Sequence, residues 1–189
     1  MTSVLFWSGG KDSWLALHYW LKAGNPKPVL FTTYNEETGI VPHQNIHIET
    51  IQKQALKLEC IHFAAPISYP STNQEYMNAV HSHLQEIPFK TDMLLFGDLH
   101  LTDIRMWREI EFGKLGYNCT FPIWQKDADE LMSVLFAENL EIVISAADPA
   151  QSEWVNPGDI YNAEFIQNLP PEIDPFGESG EFHTCVILT

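Results

Sequence analysis

The sequence predicts an α/β fold, in which a parallel sheet carries helices on both faces. Three observations support this prediction. Short apolar runs typical of buried strands alternate with segments of helical periodicity along the chain. The first apolar run leads at once into a glycine-containing turn and then into a helical pattern. The length of 189 residues suits one domain with a sizeable core.

The elements follow from the apolar pattern in chain order. Apolar runs predict strands over 4–7, 28–33, 61–65, 92–96 and 140–146, with a short extended stretch at 119–121. Helical spacing, glycine stops and capping residues predict helices over 14–22, 48–58, 72–83, 102–115 and from 127 onward. The segment 34–45 reads as a polar loop, and after Asp148 only 161–168 looks helical. Right-handed crossovers would place a ligand at the carboxyl ends of the strands.

Charge and composition narrow the classes of partner. Ten basic against twenty-five acidic residues give a net charge of −15, which opposes binding to nucleic acid. No apolar run reaches the length of a membrane span, so we expect a cytoplasmic protein without a membrane partner. Cys60, Cys119 and Cys185 suggest neither a disulfide framework nor a zinc site, and each is expected to be a small buried residue.

The turn between the first strand and the first helix is Ser8–Ser13, which reads Ser-Gly-Gly-Lys-Asp-Ser. Its glycines let the backbone turn sharply, and the helix beyond it offers free N–H groups and the positive end of its dipole. A phosphate is the expected ligand. A Walker A loop is excluded, because Leu5 stands where that motif needs glycine and Asp12 follows Lys11. The alternative is a plain turn in which Asp12 or Ser13 is the helix N-cap.

Gly97 and Asp98 end a predicted buried strand, at the same edge of the sheet as the turn. The Asp98 carboxylate is therefore a candidate ligand for magnesium or for a substrate. The alternative is a strand-end turn in which Asp98 caps the next helix. On that helix Arg105 is a candidate contact for an anion, and its alternative role is a solvated ion pair with Glu109.

The stretch Asp174–Thr184 concentrates carboxylates, glycines, a histidine and a hydroxyl in one short segment. Glycines beside Glu178 and Glu181 let the backbone fold tightly and bring both carboxylates to one place. Such a segment could bind a cationic group or an amine, or coordinate a metal. The residue types fit equally well with an acidic surface hairpin that leads into a last apolar run, 185–188.

Four motifs resemble, in this order, the diphthine–ammonia ligase family of PP-loop ATP pyrophosphatases. They are the turn Ser8–Ser13, the stretch from Gly97 to Glu109, Phe121–Trp124, and Gly177–Thr184. The resemblance spans nearly the whole chain, and the last motif is much more specific than the PP-loop. Ser179 departs from the family, which more often has glycine or asparagine at that position. Short relatives also occur in bacteria, which lack diphthamide, so the resemblance does not fix the substrate.

The resemblance implies a Rossmann-like adenine nucleotide alpha-hydrolase fold, with about five parallel strands in the order 3-2-1-4-5. The expected parts are an ATP-binding domain, 1–148, and an irregular C-terminal segment, 149–189, that completes the substrate side of the site. The ATP-binding residues would be Ser8, Gly9, Gly10, Lys11, Asp12, Ser13, Thr32, Thr33 and Gly97. The substrate-binding residues would be Asp98, Arg105, Glu178, Ser179, Gly180, Glu181 and Thr184. Mg²⁺ would be held by Asp12 and Asp98, and the catalytic residues would be Lys11, Asp12, Glu178 and Glu181.

The reaction that the resemblance implies is ATP-driven formation of an amide bond. The enzyme would adenylate a small-molecule or protein-borne carboxylate, release pyrophosphate, and transfer ammonia or an amine to the acyl group. Lys11 and the N–H groups of 9–13 would stabilise the pyrophosphate, and Glu178 or Glu181 would orient a cationic substrate or take a proton from ammonium. His43 and His183 lie in polar segments that are expected to face the site.

Two other functions share some of these features. A thiolation enzyme of the PP-loop class needs a catalytic cysteine or an iron–sulfur site and usually an RNA-binding surface. The scattered cysteines and the net charge of −15 oppose that function. A non-catalytic ATP sensor, similar to the universal stress proteins, has the general fold but a different glycine pattern in its phosphate loop. The sequence leaves the oligomeric state open, including a homo-oligomer.

Overall fold

The computed structural model describes residues 2–138 and 140–188, in which strands and helices alternate. The strands are β1 Thr2–Phe6, β2 Val29–Asn35, β3 Ile40–Val41, β4 Ile46–His47, β5 His62–Ile67, β6 Thr91–Leu95, β7 Asn118–Thr120, β8 Glu141–Ala147 and β9 Phe182–Ile187. The helices are α1 Lys11–Lys22, α2 Ile48–Lys57, α3 Asn73–Gln85, α4 Thr102–Lys114, α5 Ala128–Ala137 and α6 Ala163–Asn168, with a 3-10 turn at Pro149–Gln151. Within the described residues, none of the helices has the length and apolar character that crossing a membrane requires.

Five strands form one parallel sheet in the order β5-β2-β1-β6-β7. The predicted order 3-2-1-4-5 is confirmed, with the two-residue strands β3 and β4 set apart and β7 as the fifth strand. At the centre of the sheet, Val4 on β1 pairs with Val29 on β2 and with Leu94 on β6. The strand β1 therefore brings the turn that follows it to the middle of the carboxyl edge of the sheet.

Helices cover both faces of this sheet, as predicted. Val4 and Leu5 are neighbours on β1, are both fully buried, and point to opposite faces. Val4 belongs to a core with Val80 of α3 and Phe112 of α4. Leu5 belongs to a second core with residues of α1, α2 and α5, including Ile51. Burial on both faces explains why the central strands are continuous apolar runs in the sequence.

The predicted helix starts are present where side chains cap them. Thr72 and Glu75 form a reciprocal capping box at the start of α3. The side chain of Asp127 accepts a hydrogen bond from the Glu130 N–H at the start of α5. Both signals are local in the sequence, which is why they could be recognised without the tertiary structure.

Two segments differ from the sequence prediction. The segment predicted as a polar loop, 34–45, contains most of the β3–β4 hairpin, whose turn has His43 at φ 65° and Asn45 at φ 52°. The strand predicted over 140–146 forms as β8 and pairs antiparallel with β9, outside the parallel sheet. This pairing brings the C-terminal segment back to the first turn, where Val186 N donates to Gly9 O at 2.9 Å. The domain boundary after residue 148 stays a prediction.

Candidate active site

A cavity of about 590 Å³ opens at the carboxyl ends of β1, β2 and β6, where parallel sheets usually bind their ligands. Its walls come from the turn before α1, the β3–β4 hairpin, the first turn of α3, helix α4, and the loop before β9. The predicted site residues that line it are Ser8, Asp12, Ser13, Thr32, Thr33, Gly97, Asp98, Glu178 and Gly180. Its volume is that of a small-molecule site, for which about 300–1,000 Å³ is typical.

The turn 8–13 brings the N-terminus of α1 to the cavity. Gly9 has φ +82°, and a Cβ at this position would lie 2.4 Å from Ile51 Cδ1, so glycine is required there. Gly10, which has no side chain to offer, is the N-cap of α1. Asp12 and Ser13 lie inside the first helical turn, so the alternative in which either is the N-cap is wrong. Their N–H groups belong to the donors that have no acceptor within a helix and that suit an anion.

Asp12 lines the cavity from this first turn, and both of its carboxylate oxygens lie 3.0 Å from the Lys11 ammonium. Lys11 Nζ donates to Asp12 Oδ2 at 3.0 Å. The other oxygen, Oδ1, is buried and accepts no hydrogen bond from the described residues, although Lys11 Nζ also lies 3.0 Å from it. A buried carboxylate oxygen that accepts no well-directed hydrogen bond can still bind a hard cation. Asp12 therefore fits a magnesium ligand.

The metal site would have to include atoms of a ligand. Within 2–138 and 140–188, no three His, Cys, Asp or Glu side chains are grouped so that they could hold a metal ion. Magnesium is commonly bound by only one or two carboxylates together with phosphate oxygens and water. The environment of Asp12 is compatible with that arrangement.

Gly97 packs so closely against the first turn of α1 that it admits no side chain. A Cβ at Gly97 would lie 2.7 Å from Asp12 O. We expect Gly97→Ala to lower the free energy of unfolding by about 1–3 kcal/mol, because backbone must move to accommodate the methyl group. Chemical denaturation measures this. Gly113→Ala in α4 is the control, because its Cβ would meet no atom within 4 Å and should stabilise by about 0.5–1 kcal/mol. Wild-type stability in Gly97→Ala would contradict the tight packing.

Asp98 lines the cavity as half of an ion pair with Arg108. Arg108 Nε lies 2.7 Å from Asp98 Oδ2, and Arg108 Nη2 donates to Oδ1 at 3.2 Å. The guanidinium also lies over the Phe96 ring, with Cζ 4.4 Å from its centre. Asp98 Oδ2, like Asp12 Oδ1, is buried beside a cationic side chain and accepts no well-directed hydrogen bond from the described residues. Asp98 therefore stays a candidate metal ligand beside Asp12.

Arg105, the predicted substrate contact on α4, does not line the cavity. Its Nε donates to Glu109 Oε1 at 2.9 Å, which is the ion pair weighed as the alternative. Its guanidinium also lies 4.9 Å and 4.7 Å from the ring centres of Phe121 and Trp124. On this helix it is Arg108, three residues further on, that reaches the cavity.

Aromatic side chains form one wall of the cavity. The ring of Phe6 lies 5.1 Å from that of Phe31 and 4.6 Å from that of Phe96, and all three line the cavity. Tyr76 lines the same wall, and burial raises the pKa of its phenol. Thr32 also lines the cavity, but its hydroxyl donates to the backbone oxygen of Trp7 at 2.6 Å. This apolar wall could hold the flat face of a purine ring.

The loop 174–181 is closed on itself by the side chain of Glu181. Glu181 Oε1 accepts from Asp174 N at 3.2 Å, and Oε2 accepts from Ser179 N at 3.0 Å. Gly177 has φ +67°, and a Cβ there would lie 2.6 Å from Phe182 O. Both oxygens of Glu181 are therefore used inside the loop, and Glu181 does not line the cavity. In this structure the carboxylate of Glu181 holds the loop together, although the sequence suggested a catalytic role.

Glu178 projects from the same loop into the cavity. Burial is the main reason why the pKa of its carboxyl is raised from 4.5 to about 7, and the charge of Asp12 raises it further. Lys11 acts in the opposite direction and lowers it, whereas Asp98 and Asp174 raise it. A carboxyl that titrates near neutral pH can both accept and return a proton.

The remaining predicted site residues do not line the cavity. Lys11 is 1% exposed, and its Nζ donates to Phe176 O at 2.6 Å. Thr184 is also 1% exposed, and its hydroxyl accepts from Lys11 N at 3.0 Å. Ser179 is at the exposed end of the loop. Neither these three residues nor Gly9, Gly10, Arg105 and Glu181 line the cavity.

One residue that lines the cavity, Gln44, was not identified from the sequence, whereas two histidines were expected to face the site. Gln44, from the turn of the β3–β4 hairpin, reaches toward Gly10, whose Cβ would lie 2.9 Å from Gln44 Oε1. His43 and His183, which were expected to face the site, line it with ring centres 6.1 Å apart. Burial lowers the pKa of His183, and the neighbouring His43 and Lys11 lower it further, whereas Asp12 opposes them. Gln44 lies in the segment predicted as a polar loop, and no motif in the sequence marks it as a site residue.

Comparison with known proteins identifies the family to which the chain belongs. A model of the diphthamide synthase N-terminal domain matches residues 1–116. Among curated proteins, none matches the chain. One matching solved structure is a predicted subunit of tRNA methyltransferase from Methanocaldococcus jannaschii, which is 16% identical, with a TM-score of 0.47. The match covers 96% of this chain and 89% of that chain.

The family match covers more than half of the chain. It includes most of the elements that surround the cavity at the carboxyl edge of the sheet. It contains the turn 8–13, the β3–β4 hairpin, Gly97 and Asp98, and α4. Proteins of this PP-loop kind generally use ATP and Mg²⁺. The chain therefore belongs to the family of the diphthamide synthase N-terminal domain, and it is an enzyme of the PP-loop ATP pyrophosphatase kind.

Proposed function

We propose that the protein is an ATP-dependent ligase that adenylates a carboxylate and joins ammonia or an amine to the acyl group. The observation that carries the proposal is the presence of two carboxylates of different character in one cavity. Asp12, on the α1 wall, has a buried oxygen that lies 3.0 Å from the Lys11 ammonium but accepts no well-directed hydrogen bond from the described residues. Glu178, on the loop before β9, has a pKa of about 7. The first suits a cation that accompanies phosphate, and the second suits proton transfer.

The turn 8–13 is the proposed phosphate site. Backbone N–H groups of the first turn of α1 would hold the β- and γ-phosphates, which become the leaving pyrophosphate. Asp12 would hold Mg²⁺, which neutralises charge on the phosphates when it is bound. The aromatic wall at Phe6, Phe31 and Phe96 would take the adenine ring. No direct contact from Lys11 to phosphate is required.

The first step activates a carboxylate that would otherwise have to expel oxide. A carboxylate oxygen attacks the α-phosphorus of ATP, and the bond from that phosphorus to the pyrophosphate oxygen breaks. The products are an acyl-adenylate and pyrophosphate. The contribution of the protein is to hold the carboxylate and the α-phosphorus in line, and to stabilise the charge that develops on the leaving oxygen.

The second step replaces AMP by nitrogen. The amine nitrogen attacks the acyl carbon, the bond from that carbon to the AMP oxygen breaks, and the nitrogen loses a proton. Glu178 is the proposed acceptor of this proton, because its carboxyl lines the cavity and is deprotonated above about pH 7. Glu181 is not proposed for this role, since both of its oxygens accept bonds from the loop backbone.

We expect AMP and pyrophosphate, and not ADP and phosphate, as the products of ATP turnover. The reason is that the nucleophile attacks the α-phosphorus in this mechanism. Chromatography of the spent nucleotide, with and without carboxylate and ammonium, measures the products. Diphthine, which the family name suggests, belongs in the panel of carboxylates together with small free acids. ADP as the main product would contradict the proposed function.

Isotope exchange separates this function from its alternatives. A ligase should exchange labelled pyrophosphate into ATP when a carboxylate is present without ammonium, and should form an amide when ammonium is added. A thiolation enzyme would exchange only with its RNA substrate and would need a sulfur donor. A nucleotide sensor would bind ATP without any exchange.

A further inference from the structure

The side chain of Lys11 is enclosed by the C-terminal segment instead of facing the cavity. Its Nζ donates to Phe176 O at 2.6 Å and to Asp12 Oδ2 at 3.0 Å. Three aromatic rings surround the ammonium, with ring centres 5.8 Å away for Tyr161, 5.1 Å for Phe176 and 5.7 Å for Phe182. The side chain is 2% exposed. A buried ammonium is stable only when it is paired in this way.

The segment that Lys11 contacts is the base of the loop 174–181, which carries Glu178. Two consecutive carbonyls are held there, since Tyr161 Oη donates to Pro175 O at 2.9 Å beside the bond from Lys11 to Phe176 O. The loop is closed internally by Glu181, which binds its two ends. The loop is thus held at its base and closed by its own hydrogen bonds, and Glu178 extends from it into the cavity.

We propose that Lys11 is a positioning residue, whose ammonium fixes the loop 174–181 to the phosphate turn and thereby sets the distance between Glu178 and the reacting nucleotide. This inference rests on the proposed function and deepens it. It assigns to the lysine of the turn a role in the proton-transfer step, and not a contact with phosphate.

Geometry favours this role over phosphate binding. To reach a phosphate in the cavity, Nζ would have to leave the Phe176 carbonyl and the three aromatic rings together. Lys11 N is itself fixed by the Thr184 hydroxyl of β9, so backbone and side chain are both attached to the C-terminal segment. The N–H groups of Asp12 and Ser13 can bind a phosphate without any such rearrangement.

Lys11→Met tests the proposal, because methionine keeps the length and apolar character of the side chain but removes its charge and donors. We expect the dissociation constant for ATP to change by less than about threefold, since phosphate binding is by the backbone. The turnover number for amide formation should fall about 10- to 100-fold, because Glu178 is displaced from its working position. Hydrogen–deuterium exchange of residues 175–180 should become faster. Lys22→Met is the control, since Lys22 is an exposed lysine on the same helix.

Two results with this variant would overturn the proposal. One is a loss of ATP affinity of about tenfold or more while exchange in 175–180 is unchanged, which would indicate a lysine that binds phosphate. The other is a wild-type turnover number for amide formation.

Acetylation of lysines in the wild-type protein provides a test that needs neither a variant nor ligase activity. With an amine-reactive acetyl donor, Lys11 should react at least about tenfold more slowly than Lys22, and equally slowly with and without ATP. If Lys11 reacts as fast as Lys22 in the free protein and is protected only by ATP, Lys11 is a phosphate contact and the proposal is wrong. If the protein forms no amide but Lys11 stays protected, the proposed function fails while the anchoring contact stands.

Discussion

Asp12→Asn should reduce ATP turnover by at least about 1,000-fold while the fold stays intact. Asp12 Oδ1 is a buried oxygen that accepts no well-directed hydrogen bond from the described residues, and its proposed partner is the cation bound to the phosphates. Asparagine keeps the size and an acceptor oxygen for Lys11 but removes the charge that binds Mg²⁺. Release of AMP, measured over a range of magnesium concentrations, checks this expectation.

The matched control for this prediction is Asp103→Asn. Asp103 also lies in the first turn of a helix, α4, but it is exposed and does not line the cavity. Both substitutions remove a carboxylate from a helix N-terminus, so both lose about 0.3–1 kcal/mol of interaction with the helix dipole. Only Asp12→Asn should lose turnover. If the two variants behave alike in the AMP assay, the phosphate turn has no part in the chemistry.

The central sheet could be predicted from the sequence because its signals are local. Each buried strand is a short apolar run, and the helix starts at Thr72 and Asp127 carry their own capping residues. The pairing of β8 with β9 could not be predicted in this way, since the partners are about 40 residues apart and apolar pattern does not identify a partner. The β3–β4 hairpin was missed because His43 and Asn45, and not glycine, adopt the positive φ angles of its turn.

For the site, residue types could be predicted better than side-chain directions. Arg105 and Arg108 are three residues apart on α4, and packing decides that Arg105 lies over Phe121 and Trp124 while Arg108 reaches the cavity. Lys11 lies in the turn that was expected to hold the ligand, yet its side chain points into the aromatic cluster of the C-terminal segment. The contact that directs Lys11 joins residues 165 positions apart, which no local spacing reveals.

Glu178 and Glu181 show the same limit most clearly. They are three residues apart in a motif that suggested the same role for both. The hydrogen bonds of the loop separate them, because Glu181 accepts from Asp174 N and Ser179 N, whereas Glu178 extends into the cavity. The two glutamates should therefore respond differently to the same substitution.

Glu178→Gln should lower the rate of amide formation by about 100- to 10,000-fold, because glutamine cannot accept the proton of the attacking amine. Adenylation does not need this proton transfer, so exchange of labelled pyrophosphate into ATP should persist. Glu181→Gln is the control for charge and shape. It replaces an acceptor oxygen of the loop by an NH₂ group, so it should destabilise the protein by about 1–2 kcal/mol and keep a measurable rate of amide formation.

The raised pKa of Glu178 predicts how the rate of amide formation depends on pH. The pKa of Glu178 is raised to about 7 by burial first, then by Asp12, with Asp98 and Asp174 also raising it and Lys11 lowering it. The rate of amide formation should therefore increase as the pH rises through about 7, because the base is the deprotonated carboxylate. Glu178→Gln should lose this increase.

Stability should change in the opposite direction from activity. A carboxyl whose pKa is raised in the folded state binds a proton more tightly than in the unfolded chain, so its contribution to stability falls as the pH rises from 4.5 to about 7. At pH 8 the charged, partly buried carboxylate is a cost that glutamine removes, and Glu178→Gln should be more stable than the wild type by about 1–3 kcal/mol. At pH 4 both side chains are neutral, and the two unfolding free energies should agree. Urea denaturation at the two pH values measures the difference. A variant that loses no amide formation would show that Glu178 is not the proton acceptor. A variant that is less stable than the wild type at pH 8 would show that the charged carboxylate does not destabilise the fold.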